Sequence, residues 1–291
     1  KAARWLSMMC RHLACLGELR SRVLVVQFGG AAGTLAALGS HGLAVSDALA
    51  EELGLTAPDL PWHAERDRVA WLAGGLGAVA GSMAKIAHDV VLMAQTEVME
   101  VAEAAAPGKG GSSTLPQKRN PVYAVEAIAA ARLAVGLVPV IMGGMDQEHE
   151  RAAGGWQSEW SALPDLFRWP AGAVGRVTGA LDGIDVFADH MRANLDDSQG
   201  LSMSESLSMT LAQQVGKEQA HRLVQSISKQ AASSGKHVRE VALQDQGVRA
   251  ALDEQAIHRA LDPENYLGST DQLIDRALAM WTCPSPLYRP A

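Results

Sequence analysis

The feature that most constrains the fold is an apolar segment, rich in Ala and Met and free of proline, from about residue 63 to about residue 106. The segment predicts one helix, and about 43 residues at 1.5 Å each would extend over roughly 65 Å. Few charges lie between residues 69 and 93, so this part is expected to be buried on several sides. So long a helix is unusual within one globular domain and indicates an extended helical bundle.

Apolar periodicity predicts further helices, and no stretch alternates convincingly between apolar and polar residues as a half-buried strand would. We therefore predict an all-α fold, with a central bundle of long helices and a smaller C-terminal helical domain. Shorter and more charged helices begin past Gly200, which places the domains at residues 1–200 and 201–291. The other predicted helices cover about residues 2–26, 46–53, 121–142 and 164–188, with a last helix after Ser269.

Composition argues against several classes of protein. The chain has 291 residues and a formal net charge of −7, and its Lys and Arg residues are scattered, which disfavours a nucleic-acid-binding surface. No charge-free apolar run of about 18 residues predicts a membrane span. The three cysteines form no Cys-x-x-Cys pair and no signal peptide is visible, a pattern typical of a reduced cytoplasmic protein.

A glycine-rich stretch at residues 109–121 lies between two long apolar segments. Its glycines lower the cost of unusual backbone angles, and two adjacent hydroxyls are followed by a Lys, an Arg and an Asn. Asn120 and Pro121 are typical of a helix start, with Asn at the N-cap and Pro at the first helical position. Hydroxyls and cations would then lie beside the positive end of a helix dipole, which suits an anionic ligand.

Residues 111–121 read Gly-Ser-Ser-Thr-Leu-Pro-Gln-Lys-Arg-Asn-Pro. They resemble the Gly-Ser-Ser-x-Met-Pro-x-Lys-x-Asn-Pro signature of the fumarase/aspartase superfamily. The one departure is Leu115 in place of Met, an apolar exchange that conserves volume. The resemblance extends from about residue 22 to about residue 281, so it covers most of the chain.

The resemblance implies a reaction in which a proton is lost or gained next to a carboxylate, while a C–O or C–N bond breaks or forms at the next carbon. Charge spreads onto that carboxylate as an enolate, which needs a base and fixed positive groups. The motif assigns the catalytic base on a closing loop to Ser112, with Ser113 binding substrate beside it. Lys118 and Asn120 correspond to residues that hold a substrate carboxylate. For Asn120 a structural capping role is also open, and both roles can coexist.

A second group of polar and aromatic residues occupies positions 147–160. In adenylosuccinate lyases a similar His-Glu-Arg run contacts substrate through its Arg, and a later Ser and Arg bind the nucleotide phosphate. The resemblance assigns bidentate carboxylate binding to Arg151, whereas the phosphate-binding places hold Trp156 and Trp160. Because indole cannot neutralise a phosphate, we expect Trp156 to line a substrate pocket that excludes nucleotides. His149 is interpreted as structural, since the superfamily places its catalytic imidazole further towards the N-terminus.

A third departure concerns the catalytic pair of many superfamily lyases, a His and a Glu thirteen residues after the serine. That place holds Val125, and Glu126 lies one residue later, rotated about 100° around the helix. The pair is therefore expected to be absent. Arg66 lies in another segment that resembles the superfamily, and it is open between a functional role and a salt-bridged role at a helix start.

These departures favour a cycloisomerase that converts 3-carboxy-cis,cis-muconate to 4-carboxymuconolactone, which the resemblance implies needs no metal or organic cofactor. The alternative is adenylosuccinate lyase or a related β-elimination lyase. A third hypothesis, a non-catalytic helical assembly protein that reuses the fold, is disfavoured by the intact set of Ser112, Lys118 and Asn120.

The resemblance also implies a further N-terminal domain that carries part of the active site, so we expect this sequence to belong to a longer chain. Superfamily members are homotetramers whose active sites draw on three subunits, and we expect the same here, with no nucleic-acid or membrane partner. Ser112 and Arg151 flank a predicted helix of roughly 30 Å, too long for one small polycarboxylate to reach both. The apolar residues 69–93 would supply the buried interface.

Overall fold

The computed structural model describes residues 1–104, 110–111 and 118–282. The fold is all-α, as predicted, and these described residues include two strands of only two residues each. Two compact units make up the chain: one contains Lys1–Thr96, Val101–Asp185 and the described residues from Ile274, and the other contains Glu97–Glu100 and Val186–Leu273. The domain boundary after Gly200 stays a prediction.

The first unit is built from long helices. Helix α3 packs against α4 and α5, α4 packs against α5, and α1 packs against α3. The elements in chain order are α1 (Ala2–Val23), a 3₁₀ helix (Ala36–His41), α2 (Gly42–Leu53), α3 (Asp67–Met93), β1 (Val101–Ala102), α4 (Val122–Gly143), α5 (Gly155–Leu181) and β2 (Asp185–Val186). The two strands form a two-stranded sheet.

The second unit contains shorter helices, which enclose a hydrophobic core of their own around Leu207, Leu211, Ile227 and Ile257. The elements are α6 (Ala188–Asp196), a 3₁₀ helix (Leu201–Met203), α7 (Ser204–Val215), α8 (Lys217–Ser234), α9 (Val238–Gln244), α10 (Gln246–Ala251), α11 (Glu254–Ala260), a 3₁₀ helix (Pro263–Asn265) and the start of α12 (Thr270–Thr282).

Helix α3 is shorter than predicted, with 27 residues from Asp67 to Met93, or about 40 Å. The expectation of one helix from 63 to 106 is wrong, because residues after Met93 turn and enter the buried strand β1. Two buried apolar residues fit a strand as well as a helical turn, so periodicity alone did not separate them. The few charges of α3 reflect burial inside this unit, where its Val69 and Ala73 pack with Ile141 and Leu166.

Two other helix starts differ from the predictions. Helix α5 begins at Gly155 rather than near Pro164 and ends at Leu181, with both Pro164 and Pro170 inside it. A proline inside a helix removes one intrahelical hydrogen bond, yet the packed helix tolerates it at two interior positions. Helix α2 begins at Gly42, four residues earlier than expected, and ends as predicted at Leu53, followed by Gly54 in the left-handed conformation.

Helix α4 exposes several apolar side chains. Its buried positions are mostly alanines, whereas larger apolar side chains on its other faces are about half exposed: Val125, Leu133, Val135, Val140 and Met142. By length and composition alone, α3 and α4 are each able to span a membrane. Core helices of helical bundles meet the same test, and both helices pack within this unit.

The carboxylate of Glu103 caps the start of α4. Glu103 is 5% exposed, and its two carboxylate oxygens accept hydrogen bonds from the backbone N–H groups of Ala124 (2.8 Å) and Tyr123 (3.2 Å). These N–H groups belong to the first turn, where a helix has no internal acceptors for them. The sequence placed Asn120 at this cap, but the residue before α4 is Pro121 and no side chain adjacent to the helix caps it. The capping group comes instead from Glu103, directly after β1.

We predict that Glu103→Gln lowers the free energy of unfolding by about 1–2 kcal/mol, because it removes the charge that faces the helix dipole and one of the two acceptors. Urea denaturation followed by circular dichroism measures the change. Glu97→Gln, on an exposed turn that precedes β1, is the matched control and should leave stability unchanged. Equal stability of the two variants would contradict the capping role.

Candidate functional site

Lys118 and Asn120 lie immediately before α4. Lys118 is exposed, and its ammonium has no ion-pair partner in the described part of the chain, so it is available for an anion. Ser112 and Ser113 lie outside the described residues.

The backbone on the two sides of the signature is held together. The backbone N–H and the side-chain amide of Asn120 both donate to the carbonyl of Gly110, at 2.8 and 3.1 Å. Gly110 needs its left-handed φ of 66° and its missing side chain, since a Cβ there would lie 2.7 Å from the Asn120 carbonyl oxygen. Arg119 donates to the carbonyl of Glu103 and, at 2.8 Å, to the carboxylate of Asp185. Asn120 therefore has a structural role, which leaves a contact between its amide and a substrate as a proposal.

Arg151 lies beyond the other end of α4. Helix α4 has 22 residues and spans about 33 Å, which separates Arg151 from Lys118. The guanidinium Nη1 donates to the carbonyl of Gly30 at 3.4 Å, and within the described residues no carboxylate forms an ion pair with Arg151. Nearby His149 is exposed with a left-handed φ of 52°, so a packing role for His149 has no support in the described chain.

A glycine-rich loop after α1 faces Arg151 and the segment that precedes α3. The indole N–H of Trp62 donates to the carbonyl of Val26 at 2.9 Å, and the side-chain amide of Gln27 bonds Nδ1 of His63. Burial lowers the pKa of His63, and the guanidinium groups of Arg151 and Arg66 lower it further, with Glu65 acting in the opposite direction. His63 is therefore uncharged near neutral pH.

An open groove of about 370 Å³ lies along the first turns of α5. Trp156 and Trp160 meet edge to face, with ring centroids 5.3 Å apart and an angle of 85° between the planes. Leu163, Pro164 and Phe167 complete its apolar wall, and Trp160 is 62% exposed. Such a surface offers aromatic and apolar contact.

The guanidinium of Arg66 pairs with the carboxylate of Glu159 at the inner side of this groove. Arg66 Nε donates to Glu159 Oε1 at 2.8 Å and Nη2 donates to Oε2, and both side chains are buried. Of the two roles left open for Arg66, the structure shows the salt-bridged one. The pair fixes the start of α3 to the start of α5.

The site contains residues that the sequence did not single out. Glu103, Gln27 and His63 are polar groups whose partners lie far along the chain, so local spacing gave no signal for them. Glu126, the residue after Val125 on α4, pairs with Arg176 at 2.7 Å.

Comparison with known proteins shows which families and solved structures the chain resembles. The family described as "Lyase" matches residues 1–136, and the family described as "Adenylosuccinate lyase C-terminus" matches residues 200–277. The crystal structure of 3-carboxy-cis,cis-muconate lactonizing enzyme from Pseudomonas putida superposes with a TM-score of 0.89 at 42% identity, and covers 96% of this chain and 62% of that one. The fold is thus that of the all-α lyases.

Two curated relatives have the same name and similar coverage. The 3-carboxy-cis,cis-muconate cycloisomerase of Pseudomonas aeruginosa is 48% identical over 279 residues, which are 96% of this chain and 61% of that protein. The protein of that name from Bradyrhizobium diazoefficiens is 45% identical over 278 residues, which are 96% of this chain and 62% of its own length. The chain belongs to the fumarase/aspartase superfamily. It spans about three fifths of the length of these relatives.

We predict that Glu159→Gln lowers the free energy of unfolding by about 3–5 kcal/mol, because it leaves the buried guanidinium of Arg66 without a counter-charge. Urea denaturation measures the loss. The double variant Arg66→Met/Glu159→Leu should be more stable than Glu159→Gln, since neither buried charge remains.

The exposed pair of Glu126 and Arg176 provides the matched control. Both side chains are about half exposed, so Glu126→Gln should cost under about 1 kcal/mol. Similar losses of the free energy of unfolding in Glu126→Gln and Glu159→Gln would contradict the claim that burial makes the Arg66–Glu159 pair costly to break.

Proposed function

We propose that the protein is a cycloisomerase that converts 3-carboxy-cis,cis-muconate to 4-carboxymuconolactone. The observation that carries this proposal is the 45–48% identity, over 96% of the chain, with relatives of that name. Because the chain spans about three fifths of those relatives, the activity is proposed for the protein that contains it. A place in the protocatechuate branch of aromatic catabolism and a cytoplasmic location follow as parts of the same proposal.

Negative charge develops on a substrate carboxylate during the reaction, and the residues before α4 are suited to stabilise it. One carboxylate oxygen of the substrate adds to a carbon of its own double bond, and the neighbouring carbon takes up a proton. The electron pair released from the double bond spreads onto the adjacent carboxylate before protonation. The Lys118 ammonium, exposed and without an ion-pair partner in the described chain, stabilises that growing negative charge. Asn120 adds a neutral donor to the same carboxylate.

Ser112 is proposed to exchange the proton, as base in the direction of ring opening and as acid in lactonisation. Ser113 contributes a substrate contact beside it. Arg151 binds another carboxylate of the substrate through its planar guanidinium, and Trp156 supplies an apolar wall. The position of Trp156 and Trp160 disfavours adenylosuccinate lyase, because a groove lined by two indoles offers no neutralising group for a nucleotide phosphate.

We further propose a homotetramer whose active sites draw on several subunits. Lys118 and Arg151 flank α4, about 33 Å long, whereas a tricarboxylate of six-carbon backbone is far shorter. One substrate thus meets both groups only if they come from different copies. The exposed apolar side chains of α4 are what an obligate interface would cover, because such interfaces resemble a hydrophobic core. The sequence predicts a subunit interface formed by residues 69–93 of α3. We propose instead that α4 forms it.

We predict that the purified protein lactonises 3-carboxy-cis,cis-muconate and does not cleave adenylosuccinate. Lys118→Met should lower kcat about a hundredfold, since one lost donor to a developing anion costs about 3 kcal/mol in the transition state. Ultraviolet absorbance of the diene follows turnover. Lys229→Met, which removes an exposed ammonium on α8, is the control and should be fully active. A rise in KM alone for Lys118→Met would contradict its role at the enolate.

Complementation tests the shared site. Ser112→Ala and Arg151→Ala should each be inactive, and mixed subunits should regain activity at about a quarter of sites, as random assortment in a symmetric assembly gives. Ser112→Ala mixed with Lys118→Met is the matched control, because both changes affect one segment and no hybrid site is intact. Activity of the control mixture, or a monodisperse active monomer by light scattering, would contradict the shared site.

A further inference from the structure

The imidazole of His63 is held with one nitrogen satisfied and the other available. Nδ1 of the ring bonds the side-chain amide nitrogen of Gln27. With the amide nitrogen of Gln27 as the donor of this bond, Nδ1 accepts, and the proton of the neutral ring lies on Nε2. Nε2 has no hydrogen-bond partner within the described residues and is not buried. This N–H is therefore an accessible donor without a partner among the described residues.

The glycine-rich loop positions this ring and Arg151 together. A Cβ on Gly29 would lie 3.1 Å from Cε1 of His63 and 2.6 Å from Cβ of Pro61, so only glycine lets the ring rest against the loop backbone. The carbonyl of the next residue, Gly30, accepts from Arg151. Two donors, one neutral and one cationic, are therefore fixed by adjacent residues of one loop.

The charges near the ring favour an anion. Arg66 is neutralised by Glu159, whereas Arg151 has no ion pair in the part of the chain that the structure describes. The carboxylate that raises the pKa of His63 is that of Glu65, which is exposed. An incoming carboxylate would meet the unpaired guanidinium without first displacing an internal carboxylate.

We propose that His63 Nε2–H and the Arg151 guanidinium form one carboxylate-binding subsite, which selects tricarboxylates over dicarboxylates. The proposal rests on the proposed function, because it takes the carboxylate to be the third one of a muconate-type substrate. His63 acts as a neutral hydrogen-bond donor and transfers no proton. The guanidinium supplies the charge, and the imidazole fixes the second oxygen of the carboxylate.

Calorimetry with tricarballylate, a saturated tricarboxylate, and glutarate, a dicarboxylate, tests the subsite. His63→Ala should weaken tricarballylate binding about tenfold, the effect of losing one hydrogen bond to a charged group, and should leave glutarate binding unchanged. His63→Gln should restore most of the affinity, since its amide N–H reaches the position of Nε2 and cannot act as an acid. His88→Ala removes an exposed imidazole of α3 and is the control expected to bind like the unmodified protein.

Kinetics with 3-carboxy-cis,cis-muconate separate binding from chemistry. His63→Ala should raise KM about tenfold, with kcat within about twofold, the pattern of an interaction made equally in ground and transition states. Loss of kcat in both His63→Ala and His63→Gln would assign a proton to His63 and overturn the proposal. Unchanged tricarballylate affinity in His63→Ala, or no binding to the unmodified protein, would also overturn it. His63-dependent binding without turnover of carboxymuconate would overturn the proposed function and leave the subsite standing.

Discussion

The structure depends on how closely its long helices approach one another, and small side chains set that distance. Where α3 faces α4, a Cβ on Gly77 would lie 2.6 Å from a methyl carbon of Val138. Buried alanines, among them Ala80, Ala127 and Ala134, line the same helices. Close packing of this kind multiplies weak dispersion contacts along the helix length. Most buried positions of α4 are accordingly alanines, and several of its larger apolar side chains lie on the surface.

The helices were the part of the fold that the sequence predicted best. Their apolar periodicity was strong, and the all-α class followed from it. Their ends were less predictable because they depend on partners that are distant in sequence. The segment after Met93 could continue as a helix by its own composition, but it turns so that Val101 and Ala102 are buried in β1. Pro164 lies inside α5 for a similar reason, since packing there outweighs one lost backbone hydrogen bond.

In the site too, residues identified by local sequence spacing were predictable, whereas contacts between distant residues were not. The signature identified Lys118 and Asn120 through residue types at fixed spacing, and their substrate roles remain proposals. The hydrogen-bond partner of Asn120 and the ion-pair partner of Arg66 could not be predicted from residue spacing. Asn120 bonds Gly110, and Arg66 pairs with Glu159, 93 residues away. The fold must bring both members of a buried ion pair together. A single sequence, read without aligned relatives, does not indicate which residues will pair.

The cap on α4 has a consequence for how the protein can recognise anions. Glu103 is a ligand carried by the chain itself, and a tethered group reaches an effective concentration that free small molecules rarely match. A substrate carboxylate would have to displace it to reach the N–H groups of Tyr123 and Ala124. The amides that begin α4 are therefore occupied by Glu103, and anion recognition at this end is left to exposed cations such as Lys118. Substitution of a single side chain can therefore change the affinity for an anion at this end of α4, while the capped start of the helix is unaffected.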